Sequence, residues 1–207
     1  MRLAILGASG HGKVIADMAM LLGYTGVVFF DDAWPRKSDV SRWSVIGTTE
    51  MLLGSIADFD AVISGIGCNR VRLEKHVLLA ASGAPLVTLL HPNATVSYFA
   101  QIGMGSLICA CAAVNVDAVL GAGVIVNTGA TVDHDCRLAD GVHIAPGAHL
   151  SGDVHVGTGS WIGVGACVKQ GVHIGSDVMV GAGAVVVSDI LDGTVVVGNP
   201  AQSIAGK

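Results

Sequence analysis

Ala118 to Leu138, AVLGAGVIVNTGATVDHDCRL, carries an aliphatic residue at every sixth position: Leu120, Val126, Val132 and Leu138. Followed outward in both directions, the series runs from Val96 to Val186 through sixteen positions without a miss. Two residues before each member sits a small or β-branched residue, such as Ala118, Val124, Ala130 and Cys136. A helix repeats at about 3.6 residues and a flat strand at about 2, so neither produces this pattern. A period of six marks a parallel β-helix, in which three hexapeptides make one triangular coil and the aliphatic residue fills its interior. No insertion interrupts the series, so residues eighteen apart stack in columns, spaced by about 4.8 Å, the separation of neighbouring strands.

Before Val96 the signals are different. Leu3 to Leu6 is a short apolar run, Gly7 to Gly12 a glycine-rich turn, and Val14 to Leu22 carries apolar residues at helical spacing, closed by Gly23. Val27 to Phe30 and Ala61 to Ile66 read as further strands, Arg70 to Ala81 as a helix, and Leu86 to Leu90 as extended. Strand alternating with helix predicts a Rossmann-like α/β domain on a parallel sheet. The expected organisation is therefore an α/β domain over residues 1–90 and an all-β parallel β-helix over 91–207.

The composition narrows the function. Of 207 residues 52% are hydrophobic and only 13% charged, and the formal net charge is −5 without any Lys/Arg cluster, so no nucleic-acid partner is expected. No uninterrupted apolar stretch is long enough to predict a membrane span. The N-terminus runs straight into a strand-like segment without signal-peptide features, which points to a cytoplasmic protein. Five cysteines, Cys68, Cys109, Cys111, Cys136 and Cys167, are an odd number without framework spacing, so reduced and mostly buried thiols are expected.

The column grid picks out candidate chemistry. His134 falls two residues after the inward Val132, at a corner, in the column Val116, His134, Gly152, Gln170. Glycine under the imidazole would leave room and a bare backbone N–H for a ligand. Asp135 is placed to orient the ring, with Asp133 as a rival, and Asn127 lies on the preceding hexapeptide. His143 stacks in the column Ile125, His143, Trp161, Met179, where it would serve either a ligand or the packing of a subunit seam. In the α/β part, the turn Gly7-Ala8-Ser9-Gly10-His11-Gly12 follows a strand and opens a helix, a setting that receives phosphate. Its GxxGxG spacing is not the dinucleotide GxGxxG. Asp31-Asp32, ending the second strand, could bind a ribose or base edge or form a solvated turn.

Taken together, ILGASGHGKV (5–14), FFDD (29–32), GIGCNRVR (65–72), LLHPNATV (89–96), NTGATVDHDC (127–136) and VVVGNPA (195–201) make the chain resemble the bacterial sugar acyltransferases of the sialic-acid O-acetyltransferase type. These include acetyltransferases of UDP- or GDP-linked 4-amino-6-deoxy sugars. The resemblance implies a left-handed coil, a homotrimer, and acetyl-CoA-dependent N-acetylation of a nucleotide-linked amino sugar for surface glycan biosynthesis. It further implies His134 as general base with Asp135 tuning it, where some relatives have Glu. Ser9, Gly10 and His11 would hold the pyrophosphate, Asp31 and Asp32 the nucleoside, with Gly67 close to the ligand. Acetyl-CoA would touch Asn127, His143, Gly152 and Val164.

Other readings remain open at this point: an O-acetyltransferase of a sialic-acid-type sugar, or a non-enzymatic scaffold that senses a nucleotide sugar. A zinc-dependent carbonic anhydrase of the same fold is disfavoured, because no two of the later histidines are five apart and Arg137 shares the outer column of His155 and His173. No metal is expected.

Overall fold

The structure, a computed structural model, describes residues 1–204. Contacts within the chain gather into two compact units, Met1–Leu89 and a second from Leu90 onward. The last three residues of the 91–207 span lie outside the described residues.

The first unit is a five-stranded sheet. Its strands are β1 (Arg2–Leu6), β2 (Gly26–Phe30), β3 (Asp39–Val40), β4 (Trp43–Gly47) and β5 (Ala61–Ser64), in the order β3-β4-β2-β1-β5. All neighbours are parallel except β3 and β4. Leu3, Ala4, Ile5 and Leu6 are all buried, as a parallel strand covered on both faces requires. Helix α1 (Gly10–Leu21) starts four residues before the apolar periodicity does, because Ser9 caps it by accepting the Gly12 N–H at 3.1 Å. Two further helices follow, α2 (Thr49–Gly54) and α3 (Asn69–Ala81). Strands β3 and β4 and helix α2 were not anticipated; β3 and α2 are each too short to show a period.

The second unit winds in coils of three short strands. One face stacks Thr95–Val96, Ala113–Val114, Thr131–Val132, His149–Leu150, Cys167–Val168 and Val185–Val186. The next stacks Gln101–Ile102, Val119–Leu120, Arg137–Leu138, His155–Val156 and His173–Ile174. The third runs from Leu107–Ile108 through Ile125–Val126, His143–Ile144, Trp161–Ile162 and Met179–Val180 to Val195–Val197, all parallel. The six-residue series points inward throughout: from Ile108 to Val186 every member is at most 3% exposed, while Val96 and Ile102 pack against the same core from the first coil. Its companions two residues earlier are buried as well from Ser106 onward. Ser106 and Ser160 are polar members of this interior, and each hydroxyl donates to a carbonyl, of Gly121 and Gly175.

Candidate active site

His134 stands on the turn Asp133–Cys136, between the strands Thr131–Val132 and Arg137–Leu138, so it occupies the corner where the first face meets the second. Its Nδ1 lies 2.7 Å from Asp135 Oδ2. A carboxylate can only accept there, so Nδ1 carries a hydrogen, and in the neutral ring Nε2 keeps its lone pair. Asp135 adopts a left-handed backbone with φ of 61°, which turns its short side chain back onto the neighbouring ring. The hydrogen bond to Asp135 raises the imidazole above the ordinary histidine value, and the charges of Asp133, Asp135 and Asp153 add to the effect. Both side chains are more than half exposed, at 55% and 57%, so the pair is open to a ligand.

The two neighbouring acids do different work. Asp133 does not touch the ring: its Oδ1 accepts the His134 backbone N–H at 2.8 Å and the Asn115 side-chain amide at 2.8 Å. Those bonds, the His134 N–H first, hold its carboxyl below the usual carboxylate range. Gly152 is also not the open space that the sequence suggested. A Cβ there would lie 2.4 Å from His134 Cε1 and 2.5 Å from Nε2. The glycine is needed because the imidazole itself occupies the place of its side chain.

The residues expected at acetyl-CoA divide between two edges of the prism. Gly152 shares the corner of His134. Asn127 and Val164 lie on turns joining the third face to the first, and His143 is on a third-face strand. There the Asn127 side-chain amide and His143 Nε2 are 3.0 Å apart, and the His143 ring, 4% exposed, packs on Trp161 at 4.0 Å between centroids. Val164 is 53% exposed. Within one chain, then, the structure brings Asn127 together with His143, and His134 with Asp135 and Gly152, but not the two groups with each other.

In the α/β unit the expected substrate residues cluster at the carboxyl ends of the parallel strands. Ser9 is occupied with structure, since its hydroxyl donates to Gly65 O at 2.6 Å while capping α1. Gly10 is exposed, with nothing within 4 Å of where a Cβ would lie. Burial, and then the nearby Arg72, push the His11 imidazole down to about 4, so it is neutral at ordinary pH. Asp31 accepts the Ala8 N–H at 2.8 Å and the Ala33 N–H at 2.9 Å, and Lys37 donates to Ala8 O beside it. Asp32 accepts the Thr49 N–H at 2.8 Å and Lys75 Nζ at 3.0 Å. Burial acts to raise the Asp32 carboxyl, but these bonds prevail and hold it low. Asp31 therefore ties the glycine loop to the end of β2, while Asp32 ties the start of α2 and the side of α3 to it.

Gly67 is half-buried and open at its Cβ position, and its carbonyl accepts from Arg72 at 3.1 Å. Arg72 escaped the sequence reading. Its side chain is 1% exposed, bonds Ile66 O and Asn69 Oδ1 as well, and pins the loop before α3 from behind. Asn69 is thereby buried, and Cys68 takes the N-cap position. The only signal was an arginine two residues after Arg70 on a helix whose neighbours are apolar.

The thiols depart from expectation: Cys109 and Cys136 are buried, but Cys68, Cys111 and Cys167 are exposed, because a cap, a corner and an outward strand position place them outside the core. Burial pushes the Cys109 thiol up to about 12. His155 and His173 stack at 4.4 Å beside Arg137. Among the described residues no group of three or more His, Cys, Asp or Glu is arranged to hold a metal ion, and no helix is long and apolar enough to cross a membrane.

An α/β unit with a glycine turn at its strand ends, joined to a hexapeptide-repeat β-helix with a His–Asp pair at one corner, defines a class of two-part hexapeptide-repeat proteins. Residues 2–77 match the PglD N-terminal domain. The acetyltransferase domain of PglB from Neisseria gonorrhoeae FA1090 is 50% identical over 98% of this chain and 99% of its own, with a TM-score of 0.93; it is also known in complex with acetyl coenzyme A. PerB from Caulobacter crescentus, solved with CoA and GDP-perosamine, is 36% identical over 99% and 98%, with a TM-score of 0.93. WeeI from Acinetobacter baumannii AYE is 29% identical over 99% and 100%, with a TM-score of 0.90. The chain belongs to the nucleotide-amino-sugar acetyltransferases, with a Rossmann-like domain followed by a left-handed β-helix.

Proposed function

We propose that the protein transfers the acetyl group of acetyl-CoA to the amine of a nucleotide-linked 4-amino-4,6-dideoxy sugar, with His134 as general base. The observation that carries the assignment of the base is the 2.7 Å bond from His134 Nδ1 to Asp135, which leaves Nε2 free to accept a proton at an exposed corner. The amine attacks the thioester carbonyl, Nε2 takes its proton, the C–S bond breaks, and the imidazolium returns a proton to the departing thiolate. Amine and thioester become amide and thiol, with atoms and charge in balance. Histidine suits this step because its pKa lies near working pH. The Gly152 backbone N–H, beside the ring, is the donor for charge developing on the thioester oxygen.

The nucleotide binds in the α/β unit. Its diphosphate meets the open Gly10 at the start of α1, where backbone N–H groups and the helix dipole favour an anion. Ser9 and His11 frame that turn, Asp31 and Asp32 shape its wall on the nucleoside side, and Gly67 lines the opposite loop.

The working form is a homotrimer. Asn127, His143 and Val164 lie on a different edge of the prism from His134 and Gly152, so a cosubstrate that touches both sets lies between two copies, and a threefold ring closes that arrangement. The reaction belongs in the cytoplasm, where acetyl-CoA is available, and its product feeds surface glycan assembly. The deciding experiment is thiol release from acetyl-CoA against a panel of UDP-, GDP- and dTDP-linked amino sugars. Turnover with at least one is expected; thermal stabilisation by a nucleotide sugar without thiol release would overturn the enzymatic reading.

A further inference from the structure

At a corner of the β-helix the direction of a side chain depends on how the turn's backbone is tied to the neighbouring coils. At His134 one side-chain tie comes from the coil before. Asn115 stacks in the same column as Asp133, since Val114 and Val132 are register partners. The Asn115 amide donates to Asp133 Oδ1 at 2.8 Å, and the same oxygen accepts the His134 backbone N–H at 2.8 Å. The main chain is bound too: Asp135 N–H donates to Val116 O at 3.2 Å, and Asp153 N–H to His134 O at 2.9 Å. Asp135 and Gly152 thus fix the ring, while Asn115 and Asp133 add a side-chain tie to the two main-chain bonds that hold the backbone carrying it.

We propose that Asn115 is a positioning residue for the acetyl transfer, acting only through Asp133 to hold the His134 backbone at the angle that aims Nε2. The proposal rests on the reading of His134 as the base. Free Asp133 could rotate into solvent, because a single hydrogen bond to an exposed N–H competes poorly with water. The amide from the neighbouring coil removes that freedom. The acid that tunes the imidazole and the acid that aims it are then separate residues on either side of it. Asn115 is itself exposed and outside the apolar interior, so its removal leaves the β-helix core intact.

The test is steady-state kinetics of the full chain with acetyl-CoA and an accepted nucleotide amino sugar, with His134→Ala as a reference. Asn115→Leu should lower kcat about tenfold, the scale of a modest loss of alignment, with both KM values within about twofold and the melting temperature unchanged. Asp133→Ala should lower kcat by at least as much. The double variant Asn115→Leu/Asp133→Ala should be no slower than Asp133→Ala alone, since the amide then has nothing to hold. Asn115→Ser checks that any loss is not caused by the bulk of leucine, and should be impaired to a similar degree. Full kcat in Asn115→Leu, or a loss that multiplies in full onto Asp133→Ala, would overturn the proposal. Near-normal turnover in His134→Ala would overturn the base assignment instead, so the two failures are distinguishable.

Discussion

The imidazole of His134 lies on Gly152 of the following coil, so close that a Cβ at residue 152 would sit 2.4 Å from Cε1. Ring and glycine are one device: the missing side chain is the seat of the imidazole. Gly152→Ala should therefore displace the ring, break the bond to Asp135 and lower kcat about ten- to a hundredfold, while nucleotide-sugar affinity in the other unit stays within about twofold. Calorimetric binding of the nucleotide sugar beside the rate measurement separates the two effects.

Replacing His134 itself should cost more. His134→Ala is expected to lower kcat by about 10²–10⁴-fold with nucleotide-sugar binding retained. Because Asp135 first, and the surrounding aspartates after it, raise the imidazole, the free enzyme holds the proton to a higher pH than an ordinary histidine would. Only the deprotonated ring can act as base, so kcat/KM should rise with pH through a midpoint above about 6.5. Asp135→Asn should move that midpoint down and slow turnover. A pH–rate profile over roughly pH 5 to 9 tests both directions.

Two glycines of the Gly7–Gly12 turn should respond in different ways. A Cβ at Gly10 meets nothing within 4 Å, whereas one at Gly12 would come within 2.5 Å of Gly7 O and 2.8 Å of the Phe29 ring. Gly10→Val should fold normally and raise KM for the nucleotide sugar, with KM for acetyl-CoA little changed. Gly12→Ala should lower the melting temperature of the α/β unit by the overpacking of a tight site, roughly 1–3 kcal/mol of stability. Thermal melts with kinetics on the same two variants decide it.

His11 gives a stability prediction with a definite sign. Its imidazole is pushed down to about 4 in the folded chain, by burial first and Arg72 second, and returns to the ordinary value on unfolding. Between those two values the unfolded chain binds a proton that the folded chain refuses, so stability is full above about 6.5 and declines as pH falls toward about 4. His11→Leu should flatten that part of the melting-temperature profile. An unchanged slope would show that the acid sensitivity comes from other groups.

Much of the architecture was legible in the sequence because it is local and repetitive. A period of six from Val96 to Val186 needs only counting, and each counted residue lies inside the coil. Register then follows: the columns Val114–Val132–Leu150 and Arg137–His155–His173 are the observed strand partners. The same grid put His134 at a corner over Gly152 with Asp135 beside it.

What only the tertiary structure decided is where each polar group spends its hydrogen bonds. Asp133 and Asp135 are indistinguishable as letters flanking a histidine; a left-handed φ turns one onto the ring, and an amide from the previous coil ties the other to the backbone. Ser9, Asp31 and Asp32 read as ligand contacts; the structure adds that their oxygens also cap α1, hold the Ala8 N–H and hold the first N–H of α2. Arg72 was invisible because two of its partners, the carbonyls of Ile66 and Gly67, are backbone atoms that any residue could supply. A repeat records which side chains share a face, because burial acts on residue type. The direction of a single hydrogen bond depends on backbone angles and on atoms a coil away, and that information exists only once the chain has folded.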